Sequence, residues 1–211
     1  MHIGKLPMKI SLKDGLILHH HLADYGLFFE ILIEDEYDLA MLPKNALVVD
    51  VGANIGLVSL IASKRYGAKV YSFEPCSNNY RFLLKNIKDN NCNNVTLTKK
   101  GVGKRKSTAK LYLHGSGTHS INEQRKANKF ERINIVPLDK ECASLKKINL
   151  LKIDVEGAEL DVLLGSRKTL RKTKKIVMEL TNLCPNDKVV ALLENNGFEV
   201  SVNENILKAY K

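Results

Sequence analysis

Two acidic side chains stand where consecutive predicted strands end, and the first of them leads into a glycine-rich turn. Asp50 follows the apolar run 47–49 and precedes Gly52 and Gly56, whereas Glu74 ends the next apolar run downstream. Glycines in such a turn let the backbone approach a ligand closely, and the helix that follows offers free N–H groups to an anion. A carboxylate at the second strand end can accept both hydrogen bonds from a ribose diol. The pattern therefore predicts a ligand that contains a nucleoside.

The turn departs from the dinucleotide-binding motif at one position. That motif needs three glycines in the pattern G-x-G-x-x-G, and Asn54 occupies the middle position here, so we do not expect NAD. The spacing D-x-G-x-x-x-G, with a second acidic residue one strand later, resembles the S-adenosylmethionine (SAM) site of Rossmann-like methyltransferases. An ordinary strand–turn–helix connection with two chance glycines is the alternative interpretation.

A second acidic motif, Asp-Val-Glu-Gly-Ala-Glu at 154–159, follows another apolar strand. Ligands of open parallel sheets bind beyond the carboxyl ends of the strands, so we expect this motif at the same edge as Asp50 and Glu74. In a SAM site, Asp154 would lie at the methionyl end of the cofactor and Glu156 at the acceptor. An acidic helix N-terminus that the helix dipole favours is the alternative explanation.

Apolar runs that alternate with helical stretches predict an α/β fold, a Rossmann-like (class I), mostly parallel and doubly wound sheet. Its parallel strands are predicted at 47–51, 69–73, 95–98, 150–153 and 175–178. Two further strands, near 110–113 and 133–136, lack a comparable helix between them and predict a β insertion after the third strand. Two short strands, 198–202 and 206–210, are expected to close the sheet as an antiparallel C-terminal pair.

Residues 1–41 precede this pattern, and we expect them to form a hairpin and a helix that pack on a methyltransferase core of residues 42–211, within one domain. An Asp-Gly pair at 14–15 predicts the hairpin turn, and 25–37 has helical spacing. Three consecutive histidines at 19–21 are interpreted as the end of a surface strand. A metal site is less favoured, because neighbours on a strand point to opposite faces.

The composition sets limits on the class of protein. A chain of 211 residues with 44% hydrophobic content is long enough for one α/β domain and is not that of a disordered protein. An apolar run of about 18 residues is missing, as is an apolar block near the N-terminus, so neither a membrane span nor a signal peptide is expected. Four scattered cysteines favour reduced thiols in a cytoplasmic protein. The net charge of +10 indicates a solvated lysine-rich surface, or a partner such as RNA or an anionic lipid surface.

Three motifs together carry a family resemblance: DVGANIG at 50–56, FEP at 73–75 and KIDVEGAE at 152–159. They resemble the FkbM-type family of SAM-dependent methyltransferases, and the similarity covers about residues 30–200. The resemblance implies O-methylation of a hydroxyl group on a sugar or a complex natural product, and it places Gly101 and Val102 beside the adenine. The implied cofactor-binding residues come from these motifs and from the end of the third strand: Asp50, Gly52, Ala53, Asn54, Gly56, Glu74, Pro75, Gly101, Val102 and Asp154.

Methyl transfer from a sulfonium needs alignment of an in-line displacement, and an alcohol acceptor also benefits from a nearby base. The candidate catalytic residues are His119, Glu156 and Asp154; an imidazole has a suitable unperturbed pKa, and His119 follows a Gly-Ser-Gly segment. Carboxylates of Asp154, Glu156 and Glu179 would suit a divalent metal such as magnesium, but we do not predict a metal site. The acceptor is expected to be a small molecule or a carbohydrate.

Two other function classes stay open on the sequence. An RNA methyltransferase would use the basic runs 99–110 and 167–175 as its footprint. Against it, the strand end at 154–157 lacks the Asn/Asp-Pro-Pro-aromatic signature of enzymes that methylate base amino groups. A non-catalytic SAM-binding module is the second alternative, and the intact set of acidic residues and glycines argues against it. The sequence carries no signal for the oligomeric state or the identity of the acceptor.

Overall fold

A computed structural model describes most of the chain. It covers residues 7–21, 28, 31–32, 34–114, 119–121, 127 and 129–211. Within these residues the strands are β1 (Pro7–Ser11), β2 (Ile17–His21), β3 (Leu47–Val51), β4 (Lys69–Phe73), β5 (Val95–Thr98), β6 (Gly101–Val102), β7 (Ser107–Tyr112), β8 (Phe130–Val136), β9 (Ile148–Ile153), β10 (Thr173–Glu179), β11 (Glu199–Asn203) and β12 (Ile206–Tyr210). The helices are α1 (Leu57–Lys64), α2 (Ser77–Asp89), α3 (Leu138–Glu141), α4 (Glu159–Leu164), α5 (Arg167–Arg171) and α6 (Asn186–Asn195).

A seven-stranded sheet runs through the centre in the order β5-β4-β3-β9-β10-β12-β11. The strands from β5 to β10 in this order are parallel, and β12 is antiparallel to both of its neighbours. The strand order reverses between β3 and β9, which is where open α/β sheets bind their ligands. The predicted parallel strands and antiparallel C-terminal pair are confirmed, although β9 and β10 each begin before the predicted residue.

Helices cover both faces of this sheet. Val48 and Leu150 point to the face that packs against α1 and α2, whereas Val49 and Leu151 point to the face that packs against α4 and α6. Successive side chains of a strand face opposite sides, so a strand that is covered on both sides is apolar throughout. This burial explains the unbroken apolar runs of the sequence, and the predicted doubly wound arrangement is confirmed.

The predicted β insertion after the third parallel strand is present as a separate three-stranded sheet. In this sheet β8 is antiparallel to β7 and parallel to the short strand β6. Both long strands begin earlier than predicted, because their first residues are exposed and carry no apolar pattern. Ser120 forms an isolated bridge with Tyr112, so the far end of the insertion folds back on β7. Residues 115–118, 122–126 and 128 lie outside the described residues.

The N-terminal hairpin is present and lies against α2. β1 and β2 pair in antiparallel register, with a turn that contains Gly15. Asn86 of α2 and Asn90, the residue that follows this helix, bind the backbone of β2. The Asn86 side chain accepts from the N–H of His19 and donates to its carbonyl, and the Asn90 side chain does the same at Ile17. The division of the chain into residues 1–41 and 42–211 stays a prediction.

Two N-terminal expectations need correction. His20 is fully buried against Phe28, with ring centroids 4.8 Å apart, so the histidine run is not simply a surface strand end. Of the helix predicted over 25–37, Phe28, Ile31 and Leu32 are helical, whereas residues 34–37 are not. Its continuation is replaced by a turn, because the Asp35 carboxylate accepts hydrogen bonds from two N–H groups of the 3-10 helix Leu39–Met41. The remaining positions of that prediction lie outside the described residues.

Candidate cofactor and acceptor site

The turn after β3 is a series of left-handed backbone conformations. Gly52, Asn54 and Gly56 have φ angles of 79°, 52° and 90°. The N–H groups of Gly52 and Ala53 both donate to the Phe73 carbonyl, each at 3.0 Å, and so attach the turn to the end of β4. Asparagine and glycine are the residues that adopt this region most readily, which explains their places in the motif.

The chain itself requires the two glycines. A Cβ at Gly52 would lie 1.7 Å from the carbonyl oxygen of Asp154, and one at Gly56 would lie 2.3 Å from the side chain of Leu83. These contacts lie within the protein, and the expected close approach of the backbone to a ligand stays a prediction. A larger residue would therefore strain the turn, most at Gly52, where the obstructing atom is a backbone oxygen.

Glu74 is held by two backbone donors at the carboxyl end of β4. The N–H of Asn54 donates to Oε2 and the N–H of Cys76 donates to Oε1, both at 2.8 Å. The residue is only 5% exposed, and burial raises the pKa of its carboxyl to about 8 against the opposing effect of these two donors. In the ionised form each carboxylate oxygen has a second lone pair, so the group can then accept two hydroxyl groups. This acceptor pair fits the ribose diol of an adenosyl cofactor.

Asp50 lies beneath the turn and is fully buried. Its Oδ2 accepts a hydrogen bond of 2.6 Å from Ser59, whose hydroxyl also pairs with that of Ser72 at 2.7 Å. Its Oδ1 lies 3.4 Å from the ammonium of Lys152. In this arrangement Asp50 anchors the base of the turn to α1, β4 and β9, and its predicted contact with the cofactor stays a prediction.

Pro75, Gly101 and Val102 lie on the β5 side of Glu74. A Cβ at Gly101 would lie 2.7 Å from the Ile135 side chain and 3.7 Å from that of Pro75, so Pro75 and Gly101 are neighbours. Val102 is buried in the apolar cluster that covers one face of the sheet. The structure thus brings Pro75 and Gly101 together, while the side chain of Val102 belongs to the core.

The second motif forms a tight turn at the end of β9. Glu156 and Gly157 both have positive φ angles, of 53° and 102°, and the N–H of Gly157 donates to the Glu159 carboxylate at 2.8 Å. The hydroxyl of Ser120 donates to the carbonyl of Glu156 at 2.5 Å, which ties the insertion to this turn. Asp154 precedes the turn, and its side chain is 22% exposed. The second motif therefore links the central sheet with the insertion.

Lys152 joins the two motifs, and sequence reasoning gave it no role. Its side chain is 4% exposed, and its ammonium donates to the Gly52 carbonyl at 2.6 Å and to the Asp154 carboxylate at 3.3 Å. It also lies 5.4 Å from the ring centroid of the buried Tyr37. The sequence signal for Lys152 is that it is the one charged residue inside the apolar run 148–153. A lysine in a strand that is buried on both faces needs polar partners in the interior.

His119 contacts the backbone of its own insertion. Its Nδ1 accepts a hydrogen bond of 3.1 Å from the N–H of His114. Burial, with a smaller effect from the His114 ring, lowers the pKa of His119, which favours the neutral imidazole. A neutral ring that accepts at Nδ1 carries its proton on Nε2. In this arrangement His119 offers a donor, and the lone pair that a general base needs is engaged.

Glu179 at the end of β10 borders a cavity of about 460 Å³. Burial, and then repulsion by Asp154, Glu36 and Glu156, raises its pKa from the ordinary 4.5 to about 7, while Lys152 acts in the opposite direction. Asn205 donates a hydrogen bond of 3.1 Å to its carboxylate. The cavity is lined mainly by polar residues: Glu34, Glu36, Glu179, Ser201, Asn203, Glu204, Asn205, Ile206 and Lys208. The sequence placed Glu179 at a strand end but assigned it no catalytic role.

The described residues were also compared with the requirements of metal sites and membrane spans. Among them, no three or more His, Cys, Asp or Glu side chains form a group that could hold a metal ion. Asp154, Glu156 and Glu179 therefore do not form such a group in the described part of the chain. No helix there has the length and apolar character that a membrane span requires.

The fold and the site define a class I, Rossmann-like methyltransferase. Precorrin-6y C5,15-methyltransferase from Geobacter metallireducens matches the structure with a TM-score of 0.55 and 17% identity, over 84% of this chain and 86% of that one. A Streptococcus mutans protein in complex with SAH matches with a TM-score of 0.52 and 13% identity, over 85% and 94% of the two chains. At these identities the similarity concerns the fold.

The chain belongs to the FkbM methyltransferase family, whose domain matches residues 50–200. Methyltransferase 1 of Beauveria bassiana is 30% identical over 200 residues, which cover 82% of this chain and 80% of that protein. Hexuronic acid methyltransferase AglP of Haloferax volcanii is 28% identical over 136 residues, which cover 62% of this chain and 54% of that protein. The resemblance predicted from the three motifs is confirmed.

Proposed function

We propose that this protein transfers the methyl group of SAM to a hydroxyl group of a small molecule or a carbohydrate. The observation that carries the proposal is the Glu74 carboxylate, which two backbone N–H groups fix at the carboxyl edge with acceptor capacity left for a diol. The glycine turn beside it has the spacing of the family motif. The SAH complex of the structurally similar S. mutans protein supports the same class of donor.

Different residues of the site would bind different parts of SAM. Glu74 would bind the ribose hydroxyls, with the turn 52–56 beneath them and Pro75 and Gly101 beside the adenine. Asp154, whose carboxylate is partly exposed at the end of β9, would face the methionyl ammonium. SAM supplies an electrophilic methyl group when bound, so these residues act mainly by orienting it toward the acceptor.

Glu179 is the proposed general base in place of His119. A carboxylate with a pKa of about 7 is ionised in a large fraction of molecules near neutral pH and is still basic enough to take the proton of an alcohol. It lies in the wall of the cavity beyond the strand ends. Of the other predicted candidates, Asp154 is paired with Lys152 and is assigned to the methionyl end of SAM.

The lining of the cavity favours a hydroxylated acceptor over RNA. Its carboxylates, amides and hydroxyl can exchange hydrogen bonds with several hydroxyl groups. Four glutamates against the single Lys208 would repel a phosphate backbone. The Haloferax relative is a hexuronic acid methyltransferase, which supports a sugar as the class of acceptor, and the four glutamates favour an uncharged sugar in this chain. The four cysteines are buried free thiols, and we propose a cytoplasmic location on that chemistry.

Titration calorimetry with SAM and with SAH tests the donor. We expect both ligands to bind. If neither ligand gives a heat of binding, and circular dichroism shows that the protein is folded, the proposal is contradicted. Transfer of a tritiated methyl group to a panel of sugars and to total RNA then tests the acceptor. We expect label in a sugar fraction, and label only in RNA would favour the alternative.

A further inference from the structure

Lys152 is the one lysine of β9, and three oxygen atoms surround its ammonium. The carbonyl oxygen of Gly52 is 2.6 Å away, and the carboxylate oxygens of Asp154 and Asp50 are 3.3 Å and 3.4 Å away. The face of the Tyr37 ring lies on a further side, 5.4 Å from its centroid. The ammonium donates hydrogen bonds to the Gly52 and Asp154 oxygens and forms an ion pair with the Asp50 oxygen.

The lysine is charged in this environment. Burial alone would lower the pKa of Lys152, but the two aspartates outweigh burial and hold the pKa above its ordinary value. Lys152 is therefore a buried cation at the point where the Gly52 turn and the end of β9 meet.

The three oxygen partners belong to three different parts of the site. Asp50 is in β3, Gly52 is in the turn that follows, and Asp154 stands at the end of β9. The turn and β9 are also in close contact, since a Cβ on Gly52 would lie 1.7 Å from the Asp154 carbonyl oxygen. A small shift of either segment would break the bond that Lys152 makes to the other.

We propose that Lys152 is a positioning residue whose ammonium fixes the Gly52 turn and the Asp154 carboxylate in the relative placement that SAM requires. This inference rests on the proposed function, because it gives the methionyl end of SAM a binding surface that depends on one buried cation. Lys152 itself touches neither donor nor acceptor in this account. Its removal should weaken cofactor binding beyond any loss of fold stability.

The chain offers a matched control in Lys172. Its ammonium also donates to two backbone carbonyls, those of Cys142 and Leu145, at 2.5 Å and 2.7 Å. Lys172 lies at the opposite edge of the sheet, where its own carbonyl accepts from the N–H of Ile148 at the start of β9. Both lysines therefore cap carbonyl groups, but only Lys152 does so at the candidate cofactor site.

The experiment compares Lys152→Met with Lys172→Met in the full chain. Melting temperature, the dissociation constant of SAH by calorimetry, and kcat and KM for SAM are measured for each. We expect both variants to melt at lower temperature, and only Lys152→Met to bind SAH roughly tenfold or more weakly, as loss of bonds to a charged donor predicts. Its KM for SAM should rise by more than its kcat falls. An SAH affinity within about twofold of wild type would overturn the proposal.

A second pair of variants covers the case in which Lys152→Met does not fold. Asp50→Asn with Lys152→Met removes the buried positive charge together with its deepest negative partner, and Asp50→Asn alone is its reference. We expect the double variant to bind SAH at least about tenfold more weakly than Asp50→Asn. Equal affinities would overturn the role of Lys152. Wild-type protein that binds neither SAM nor SAH would instead contradict the proposed function.

Discussion

The turn after β3 and the ends of β9 and β10 lie on the same edge of the sheet, but backbone groups shape the first region and carboxylates shape the second. Beside the turn, at the end of β4, the Glu74 carboxylate is held by two N–H groups, and the residue is 5% exposed. Across the edge, Glu179 faces three other carboxylates beside an open cavity. A donor that is the same in every turnover suits the first arrangement, and an acceptor that must lose a proton suits the second.

The two regions also differ in the groups that set the pKa of their glutamates. Burial raises the pKa of both, to about 8 for Glu74 and about 7 for Glu179. The donors on Glu74 are fixed backbone groups that favour its ionised form, whereas the neighbours of Glu179 are carboxylates that oppose it. The first glutamate is therefore oriented by its backbone hydrogen bonds, and the second lies where neighbouring carboxylates favour its protonated form.

The largest effect is expected from a change in the backbone-shaped region, which comprises the turn 52–56 and Glu74. Gly52→Ala would bring a Cβ to 1.7 Å from the Asp154 carbonyl at a positive φ, and should lower the free energy of unfolding by about 3 kcal/mol or more. Gly15→Ala is the control, because Gly15 also has a positive φ, 85°, but has open space around it, so it should lose only about 1 kcal/mol. The free energies of unfolding are measured by urea denaturation. Equal losses in the two variants would show that close packing is not the reason for the glycine at position 52.

Glu179→Gln tests the carboxylate-shaped region, which comprises the acidic residues at the ends of β9 and β10. We expect kcat to fall about 100-fold while the SAH affinity stays near wild type, because the amide cannot take the proton of the acceptor. In the wild type, kcat/KM should rise with pH through about 7, as the carboxylate ionises, and this rise should vanish in the variant. A variant that retains the wild-type pH profile would assign the base elsewhere.

The same raised pKa predicts the pH dependence of stability. A folded-state pKa of about 7 against an ordinary 4.5 means that Glu179 stabilises the fold fully below pH 4.5, and that this contribution is lost as the pH rises through 7. The free energy of unfolding of Glu179→Gln should therefore fall less than that of the wild type over this interval. Chemical unfolding at a series of pH values measures the difference.

A smaller effect is expected from Glu74→Gln. The amide keeps one acceptor oxygen but sets an NH₂ group against a backbone N–H, so SAH affinity should fall by about 30-fold with some loss of stability. Glu131→Gln is the control, because the Glu131 carboxylate also accepts from a backbone N–H, that of Ser77 at 2.7 Å, but at an exposed position. Unchanged SAH binding in Glu74→Gln would remove Glu74 from the donor site.

The backbone-shaped region could be predicted well from the sequence because its signals are local. Asp50, the glycines and Glu74 stand at fixed distances from apolar runs, and such runs mark the strands of a parallel sheet. The family motifs lie in the same stretches. Three short elements, α3, α5 and β6, could not be predicted, because they contain too few residues to show a periodic pattern.

The carboxylate-shaped region depends on contacts between distant parts of the chain. Glu179 meets Glu36, which is far away in sequence, and no local pattern shows that the two repel each other. Lys152 interrupts an apolar run, and its partners on β3 become visible only when the strands are aligned. His119 was favoured for the chemistry of imidazole, whereas its hydrogen bond to His114 is a property of the folded insertion.

The smallest effect is expected from His119→Asn, and it separates the two regions most directly. The Asn oxygen can replace Nδ1 as the acceptor for the His114 N–H, so the local backbone contact is kept while the imidazole is lost. If Glu179 is the base, kcat should change by less than about threefold, and the pH at which kcat/KM rises should not move. A fall of about 100-fold together with loss of that rise would make His119 the base. Proton transfer would then belong to the insertion, and the carboxylates at the ends of β9 and β10 would serve to bind the acceptor.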